Sequence, residues 1–191
     1  MVVQNLLAPG LPTGTYIGTL SFNNDLALGG GTEMDITKSP LTNDVIRVAG
    51  ALTFGGVLAV AQLDGNPLGI GDSFKLFDAP GHSGAFLQVV LPPLASGLEW
   101  NTNALYSMGV ISVVPASPVF GSGVTATGSN LSFQASGGIS NGLFYLLYAT
   151  NLAPANWTPR LTNQFDGNGD FNFTVDPDPN SPQGFYRLQL P

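Results

Sequence analysis

Two glycines lead into a short alternating strand at residues 30–36, GGTEMDI, and again at residues 55–61, GGVLAVA. A second echo links GTLSF at residues 18–22 with GALTF at residues 50–54. The two offsets are 25 and 32 positions, so the repeat is irregular. Glycine corners followed by short strands are typical of the coils of a β-solenoid. A sandwich with unrelated glycine turns is the alternative for this half of the chain.

The rest of the chain has the same sequence pattern, which is typical of an all-β protein. Apolar residues alternate with small polar ones, and glycine or proline interrupts nearly every window long enough for a helix. Strands are predicted about 8–12 residues apart, which is the spacing of an all-β fold. In the first part of the chain they cover residues 16–22, 25–28, 33–37, 45–48, 51–54, 57–62, 73–77, 86–91 and 110–114.

A proline-rich segment, VPASP at residues 114–118, predicts a domain boundary because two prolines interrupt strand pairing and favour an extended linker. Longer and more aromatic strands are expected after it, at residues 131–135, 143–149, 171–175 and 185–190. The turn DGNG at residues 166–169 predicts a hairpin. We therefore expect a β-solenoid-like end region at residues 1–115, followed by a small antiparallel β-sandwich at residues 119–191.

The composition limits the possible functions. Only 9% of the 191 residues are charged, the net charge is −7, and the chain has one histidine and no cysteine. The charge argues against nucleic acid as a partner, and no run of residues is apolar enough for insertion into a membrane. Most enzyme chemistry at neutral pH uses histidine, cysteine, lysine or clustered carboxylates, so the sequence predicts no enzyme.

Two motifs are similar to catalytic sites, but neither is expected to be one. Residues 81–85, GHSGA, are similar to a nucleophile elbow but lack its last glycine, and the base needed downstream is missing because His82 is the only histidine. Glu33 and Asp35 lie two apart in a predicted strand and so share one face, as the paired carboxylates of a glycosidase do. A solvated strand face is the expected role of this pair.

Two groups of residues are candidates for binding. Asp166, Asn168 and Asp170 have the alternate-oxygen spacing of a calcium loop, with Asp176 and Asp178 able to add oxygens, although Phe171 stands where such a loop needs glycine. We expect no cofactor, with calcium at these three residues as the alternative. Aromatic residues can form a sugar-stacking surface in a small sandwich, and Trp157 and Tyr148 are the candidates for it. The wider aromatic set is Trp100, Tyr106, Tyr145 and Tyr186.

Several segments together resemble a known family. They are GIGDSFKLF at residues 69–77, GAF at 84–86, LEWNT at 98–102, GVISV at 109–113, YLLYATNL at 145–152 and FYRL at 185–188. This pattern resembles the C-terminal region of bacterial autotransporter-associated β-strand repeat proteins, large secreted surface proteins of verrucomicrobial and planctomycete-type bacteria. The resemblance implies no catalytic residues. It differs in one respect, because a true autotransporter ends in a membrane β-barrel and this sequence ends at Pro191.

The sequence predicts a non-catalytic structural or adhesive segment of an extracellular or cell-surface bacterial protein. The first residues lack the basic region of a signal peptide, which favours a mature or excised fragment. A carbohydrate-binding module at residues 119–191 is one alternative, with glycans as its partner. A self-assembling surface filament subunit is another, in which residues 1–8 form an unpaired strand that adds to a neighbouring copy.

Overall fold

The computed structural model describes residues 1–10, 17–121, 124–128, 130–177, 181 and 183–191. Over these residues the fold is all-β, as expected, with one helix of four residues. The chain divides into two compact units, Met1–Ala95 with Glu99–Val114, and Ser96–Leu98 with Pro115–Pro191. Whether each unit folds independently stays a prediction. Within the described ranges, no helix has the length and apolar character needed to cross a membrane.

The first unit is built from short strands and contains the helix. Its elements are β1 Val2–Val3, β2 Thr19–Phe22, β3 Leu26–Leu28, β4 Gly31–Thr37, β5 Thr42–Asn43, β6 Val45–Val48, β7 Ala51–Phe54, β8 Val57–Gln62, β9 Ser73–Lys75, β10 Phe77–Asp78, β11 Gly81–Gly84, β12 Gln88–Val90, β13 Leu98–Asn101, α1 Leu105–Met108 and β14 Val110–Pro115. The first residue of β13, Leu98, and the last residue of β14, Pro115, are counted with the second unit.

Three parallel sheets make this unit a short β-helix. Sheet A has the strand order β1-β3-β7-β11, sheet C the order β2-β6-β10, and sheet B contains β4-β8-β12 with β5 antiparallel on the outer edge of β4. The chain visits sheets C, A and B in turn and then repeats, so one pass is a coil. The three passes are β2-β3-β4, β6-β7-β8 and β10-β11-β12. The solenoid interpretation of this half is therefore correct, and the sandwich alternative is not.

The register places like residues above one another inside the coils. Leu26 is aligned with Leu52, and Leu52 with His82. Leu20, Ile46 and Phe77 form the corresponding row in sheet C. Leu26, Leu52, Ile46 and Phe77 are at most 1% exposed. Apart from His82, these rows that cross the coils are apolar, which is how a solenoid buries surface that a single coil cannot.

The observed repeat differs from the one expected from the sequence. Gly31 is aligned with Val57, 26 positions further along, rather than with Gly56. The echo between residues 18–22 and 50–54 is wrong, because β2 pairs with β6 in sheet C while β7 pairs with β3 and β11 in sheet A. Both segments alternate small polar with apolar residues, so their similarity reflects a shared strand pattern and not a shared place in the coil.

The helix α1 lies against the last coil. It contacts β10 and β11, its residue Leu105 is fully buried, and the Tyr106 ring meets the rings of Phe54 and Phe86 at 5.4 and 6.3 Å between centroids. Gly109 ends the helix in the left-handed conformation, with φ of 71°, and its carbonyl accepts hydrogen bonds from the amides of Leu76 and Phe77. The interior of the last coil is therefore covered by residues of the same unit.

The predicted strands agree best with the second coil, where residues 45–48, 51–54 and 57–62 are β6, β7 and β8. In the third coil the strand β11, Gly81–Gly84, is not predicted. The predicted strand 73–77 is two strands, since β9 pairs with β14 in a sheet of order β13-β14-β9 whereas β10 joins sheet C. The strand expected at residues 16–22 begins at Thr19, and Tyr16 lies outside the described residues.

The N-terminal strand is paired within the chain. The self-assembly hypothesis assumed an unpaired strand at residues 1–8, and this assumption is wrong. Val2 and Val3 of β1 pair in parallel with Ala27 and Leu28, and Leu7 forms a bridge with Thr32. Residues 1–8 thus form part of a coil preceding the first complete one. Pairing with a neighbouring copy stays a prediction.

The second unit is a sandwich of two antiparallel sheets. Its strands are β15 Val119–Phe120, β16 Thr125–Thr127, β17 Asn130–Ser136, β18 Leu143–Ala149, β19 Thr158–Gln164, β20 Phe171–Val175 and β21 Phe185–Gln189. In sheet E, β17 pairs with β15, β16 and β20, and sheet F has the order β19-β18-β21. The inward faces of both sheets supply one core, formed by Ala135, Phe144, Leu146, Phe165, Phe171, Phe173 and Val175.

The loop at residues 166–169 is a tight turn but not a hairpin. The Asp166 amide donates to the Asp170 carbonyl at 2.8 Å, and the Gly169 amide donates to the Asp166 carbonyl at 3.1 Å. However, β19 pairs with β18 while β20 pairs with β17, so the loop carries the chain from sheet F to sheet E. The hairpin prediction is wrong because β19, which contains Pro159, is not recognised as a strand from its sequence.

Candidate functional site

The sandwich core becomes more polar at one end, where its aromatic residues are two tyrosines and not phenylalanines. Along β18, Phe144 and Leu146 are fully buried and Tyr148 follows on the same face because side chains alternate along a strand. Tyr148 is aligned with Tyr186 of β21, and their ring centroids are 5.3 Å apart. The Tyr186 ring also meets the Phe133 ring at 5.2 Å. The tyrosine pair therefore continues the aromatic core towards solvent.

A cavity of about 230 Å³ lies beside this pair. Its lining residues are Leu131, Tyr148, Pro177, Ser181, Gln183, Gly184 and Tyr186. The Tyr148 and Ser181 hydroxyl oxygens are 3.5 Å apart, and the Gln183 side-chain amide donates to the Thr150 carbonyl at 3.0 Å. The Tyr186 hydroxyl has no hydrogen-bond partner among the described residues. This end of the sandwich thus combines aromatic walls with hydroxyl groups.

Burial affects the chemistry of this pair. It raises the pKa of the Tyr186 hydroxyl above its ordinary value, and the neighbouring Tyr148 adds to that shift while Arg160 opposes it. The Arg160 guanidinium lies 5.9 Å from the centre of the Tyr148 ring. Tyr186 therefore stays protonated at neutral pH and can donate a hydrogen bond.

Trp157 is not part of this cavity. Its ring lies 4.9 Å from the guanidinium of Arg187, and Arg187 is aligned with Leu147, whose side chain points away from that of Tyr148. The structure does not bring the two sequence candidates Trp157 and Tyr148 together. The wider aromatic set is divided as well, since Trp100 packs on Phe74 at 6.1 Å between centroids and donates to the Pro92 carbonyl at 2.9 Å. Sugar binding by Trp157 stays a prediction.

The proposed calcium residues lie in the tight turn of the second unit. Asp166 Oδ1 accepts hydrogen bonds from the amides of Asn168 at 2.8 Å and Asp170 at 2.9 Å. Backbone hydrogen bonds from Asp170 and Asn168 hold the pKa of Asp166 below its ordinary value. This oxygen therefore stabilises the turn by accepting hydrogen bonds from its backbone amides. Among the described residues, no group of three or more acidic or histidine side chains is placed to hold a metal, and Asp178 lies outside them. Calcium binding at Asp166, Asn168 and Asp170 stays a prediction.

The carboxylates Glu33 and Asp35 lie on the outer face of β4, where Glu33 is exposed and Asp35 half-buried. Burial raises the pKa of Asp35, and the charge of Glu33 adds to the shift. The sequence did not reveal a third carboxylate, Asp44, which is 1% exposed. Its two oxygens accept hydrogen bonds from the amides of Gly18 at 2.6 Å and Asp35 at 2.9 Å, so it joins the first and second coils.

A second polar cluster ties the loop after β8 to the turn after β4. Lys38 Nζ lies 2.6 Å from Asp72 Oδ1, and the Asp72 residue is only 7% exposed. Asp64 accepts hydrogen bonds from the amides of Lys38 and Ser39 and from the side chains of Gln62 and Asn66. All acceptors here are used by the protein's own donors, so the cluster is structural.

The residues of the nucleophile-like motif lie in β11. Ser83 Oγ is 3.0 Å from Thr53 Oγ1 on the outer face, whereas His82 points inward and stacks on Phe54. The serine and histidine thus face opposite sides of sheet A, as neighbours in a strand must. The motif therefore consists of two neighbouring residues of a strand and does not bring the serine and the histidine together.

Searches against family models, curated proteins and solved structures give no match for this chain. The resemblance to autotransporter-associated β-strand repeat proteins therefore remains a prediction from the residue pattern.

Proposed function

We propose that the chain is a non-catalytic structural and adhesive segment of an extracellular or cell-surface protein. The observation that carries this proposal is the aligned β-helix interior, in which the rows Leu20–Ile46–Phe77 and Leu26–Leu52–His82 run through all three coils. Every coil is hydrogen-bonded to the next along three sheets, so neighbouring coils resist displacement. Such an arrangement suits a stiff segment that holds another part of a protein away from a surface.

The outer faces of the coils support the same function. In sheet C, Ser21, Arg47 and Asp78 are aligned in one exposed row, and in sheet A the hydroxyls of Thr53 and Ser83 are hydrogen-bonded. These outward-facing side chains are polar, with Arg47 and Asp78 charged, and a cavity of about 400 Å³ lies beside the sheet C row. A wall of this kind exposes hydrogen-bonding groups over a broad area, which suits weak multivalent attachment.

Attachment under flow tests the proposal. Particles coupled to the full chain should remain on a layer of extracellular polysaccharide or on bacterial cells at shear rates that remove albumin-coated particles. Particles coupled to urea-unfolded chain are the matched control and should detach. Equal detachment of folded-chain and albumin particles on every surface would contradict an adhesive role.

The non-catalytic part needs a separate measurement. Release of reducing ends from polysaccharides should be the same for the wild type, for E33Q and D35N, and for buffer alone. Turnover by the wild type that disappears in either variant would show that the outer face of β4 is an active site and would overturn this part of the proposal.

A further inference from the structure

We propose that the cavity beside Tyr148 and Tyr186 binds a single neutral sugar ring. The inference goes beyond the structural role above, because it assigns a ligand to a defined site. It differs from a surface formed by Trp157, because that ring is engaged by Arg187 on the other face of sheet F.

The walls of the cavity suit the apolar face of a pyranose. The Tyr148 and Tyr186 rings are tilted by 48° to each other and share the cavity with Leu131 and Pro177. Sugar rings carry C–H groups on one face, and aromatic rings bind that face by apolar contact. An inclined pair of rings can contact the ring face and one of its edges together.

The polar groups of the cavity suit sugar hydroxyls. The Tyr186 hydroxyl can donate or accept, as a sugar hydroxyl can. The Ser181 hydroxyl already donates to the Gln183 carbonyl at 2.8 Å and the Gln183 side-chain amide donates to the Thr150 carbonyl at 3.0 Å, so these two side chains offer mainly their oxygens as acceptors. No charged side chain lines the described part of the cavity. A neutral polyol can pair with these groups and needs no counter-charge among the lining residues.

The size of the cavity selects a small ligand. Its volume of about 230 Å³ is below the ~300–1,000 Å³ common for drug-sized ligands. One ring fits, and the rest of a longer glycan would lie outside. We therefore expect weak binding, at millimolar affinity, that becomes useful when many copies of the chain meet many sugar ends.

Neither tyrosine hydroxyl is needed to fill the core, although the Tyr148 hydroxyl donates to Ser181 Oγ at 3.5 Å. Phe144 and Phe173 fill the equivalent inward positions deeper in the sandwich without them. Phenylalanine at 148 or 186 would pack the same rings and lose only the hydrogen-bonding atoms. Y186F is therefore the cleaner test of ligand binding, because Y148F also removes the contact with Ser181.

Gly184 gives a second, steric test. A Cβ atom at this position would come within 2.8 Å of Cε2 of Tyr148, so the ring would have to move. The G184A variant should therefore reshape the cavity without removing any polar group.

The experiment uses the full chain and a panel of methyl glycosides of glucose, galactose, mannose, xylose and N-acetylglucosamine. Saturation-transfer NMR should detect binding of at least one glycoside. Affinity for it should fall about fivefold in Y186F, which is the effect of one net hydrogen bond, and should also fall in G184A. The matched control is Y145F, the same change on the same strand but on the opposite face, and its affinity should equal that of the wild type. Thermal unfolding confirms that each variant is folded.

Two results would overturn the inference. One is the absence of saturation transfer with every glycoside. The other is unchanged affinity in both Y186F and G184A together with loss of binding in W157A. Attachment under flow is measured independently, so a chain that adheres without binding any glycoside would retain the structural proposal and lose this one.

Discussion

The imidazole ring of His82 stacks on the phenyl ring of Phe54, with centroids 5.7 Å apart and 11° between the planes. His82 is aligned with Leu52 in the row that begins at Leu26. Its Nε2 atom is buried and has no hydrogen-bond partner within the described residues. The third coil therefore carries a polar group at a position that the first two coils fill with leucine.

Replacing this histidine should stabilise the protein. H82L continues the leucine row and removes a buried atom without a partner, so the free energy of unfolding should rise by about 1 kcal/mol. Urea unfolding of the full chain measures the change, with S83A on the outer face as the control that should have little effect. A loss of stability in H82L would mean that the imidazole makes an interaction that leucine cannot replace.

Glycine at the corner between sheets A and B should be essential for close stacking of the coils. Gly56 has φ of 67°, and a Cβ atom there would collide with the Gly30 carbonyl oxygen of the coil before it. G71A is the matched control, since Gly71 has φ of 89° but no atom within 4 Å of the added carbon. We expect a loss of about 1 kcal/mol in G71A from backbone strain and about 3 kcal/mol in G56A from strain and overpacking together. Equal losses in thermal unfolding would show that the coils separate at little cost.

The stability of the β-helix should depend on a carboxylate at position 44. Because its two oxygens accept from two different amides, an asparagine can satisfy only one of them and turns an N–H donor towards the other. D44N should therefore lose about 1–3 kcal/mol. D25N is the control, because a single oxygen of Asp25 accepts the Ala51 amide at 2.8 Å and an asparagine oxygen can replace it. The ranking is checked by chemical unfolding, and an equal effect of the two changes contradicts it.

Acid should weaken the Lys38–Asp72 pair. Burial of Asp72 opposes its ionisation, but hydrogen bonds from Lys38 and from the Gly69 amide outweigh this effect and hold its pKa below the ordinary value of 3.8. The folded-state pKa is lower than the unfolded one, so the pair's contribution is complete above pH 4 and is lost as the pH falls towards the folded-state pKa. The difference in stability between the wild type and D72N should shrink over that range. D78N, in the exposed pair with Lys75, should show a smaller difference. A difference for D72N that does not change with pH would place its origin in packing.

The C-terminal sandwich should fold without the coils. Its core cluster lies wholly within residues 135–175, so a fragment of residues 115–191 retains it. The fragment lacks Ser96 and Gly97, whose groups bond to the Asn168 carbonyl at 2.6 Å and the Ala116 amide at 2.9 Å, so it should be less stable than a fragment of residues 96–191. Calorimetry of both fragments tests this. Absence of a cooperative transition in either one would show that residues 1–191 form one continuous core.

The sequence predicts the type of fold because glycine corners and alternating strands are local signals. Val45–Val48, Ala51–Phe54 and Val57–Gln62 are located correctly from alternation alone. Alternation does not tell which sheet a strand joins, so the sequence similarity links β2 with β7, whereas in the structure β2 pairs with β6. The five extra residues in the third coil, where Ile46 is aligned with Phe77, also hide the repeat.

The candidate site was only partly accessible from the sequence. Tyr148 and Trp157 are both recognisable as aromatic residues near strands, but their faces depend on the pairing of β18 with β21. The sequence identifies Tyr186 only as one of several aromatic residues that could belong to a sugar-stacking surface. Its place beside Tyr148 follows from a register between strands nearly forty positions apart, for which the sequence carries no local signal.

The constant alignment between the first two coils has a consequence for the length of the molecule. Gly31 with Val57, Leu26 with Leu52 and Leu20 with Ile46 are each separated by 26 positions, so the same spacing holds in all three sheets. A duplicated segment of that length would therefore enter between the two coils without changing the register of any other strand. Each such insertion would lengthen the β-helix by about 4.8 Å, the distance between neighbouring strands. The number of inserted segments would therefore set the length of the β-helix in equal steps.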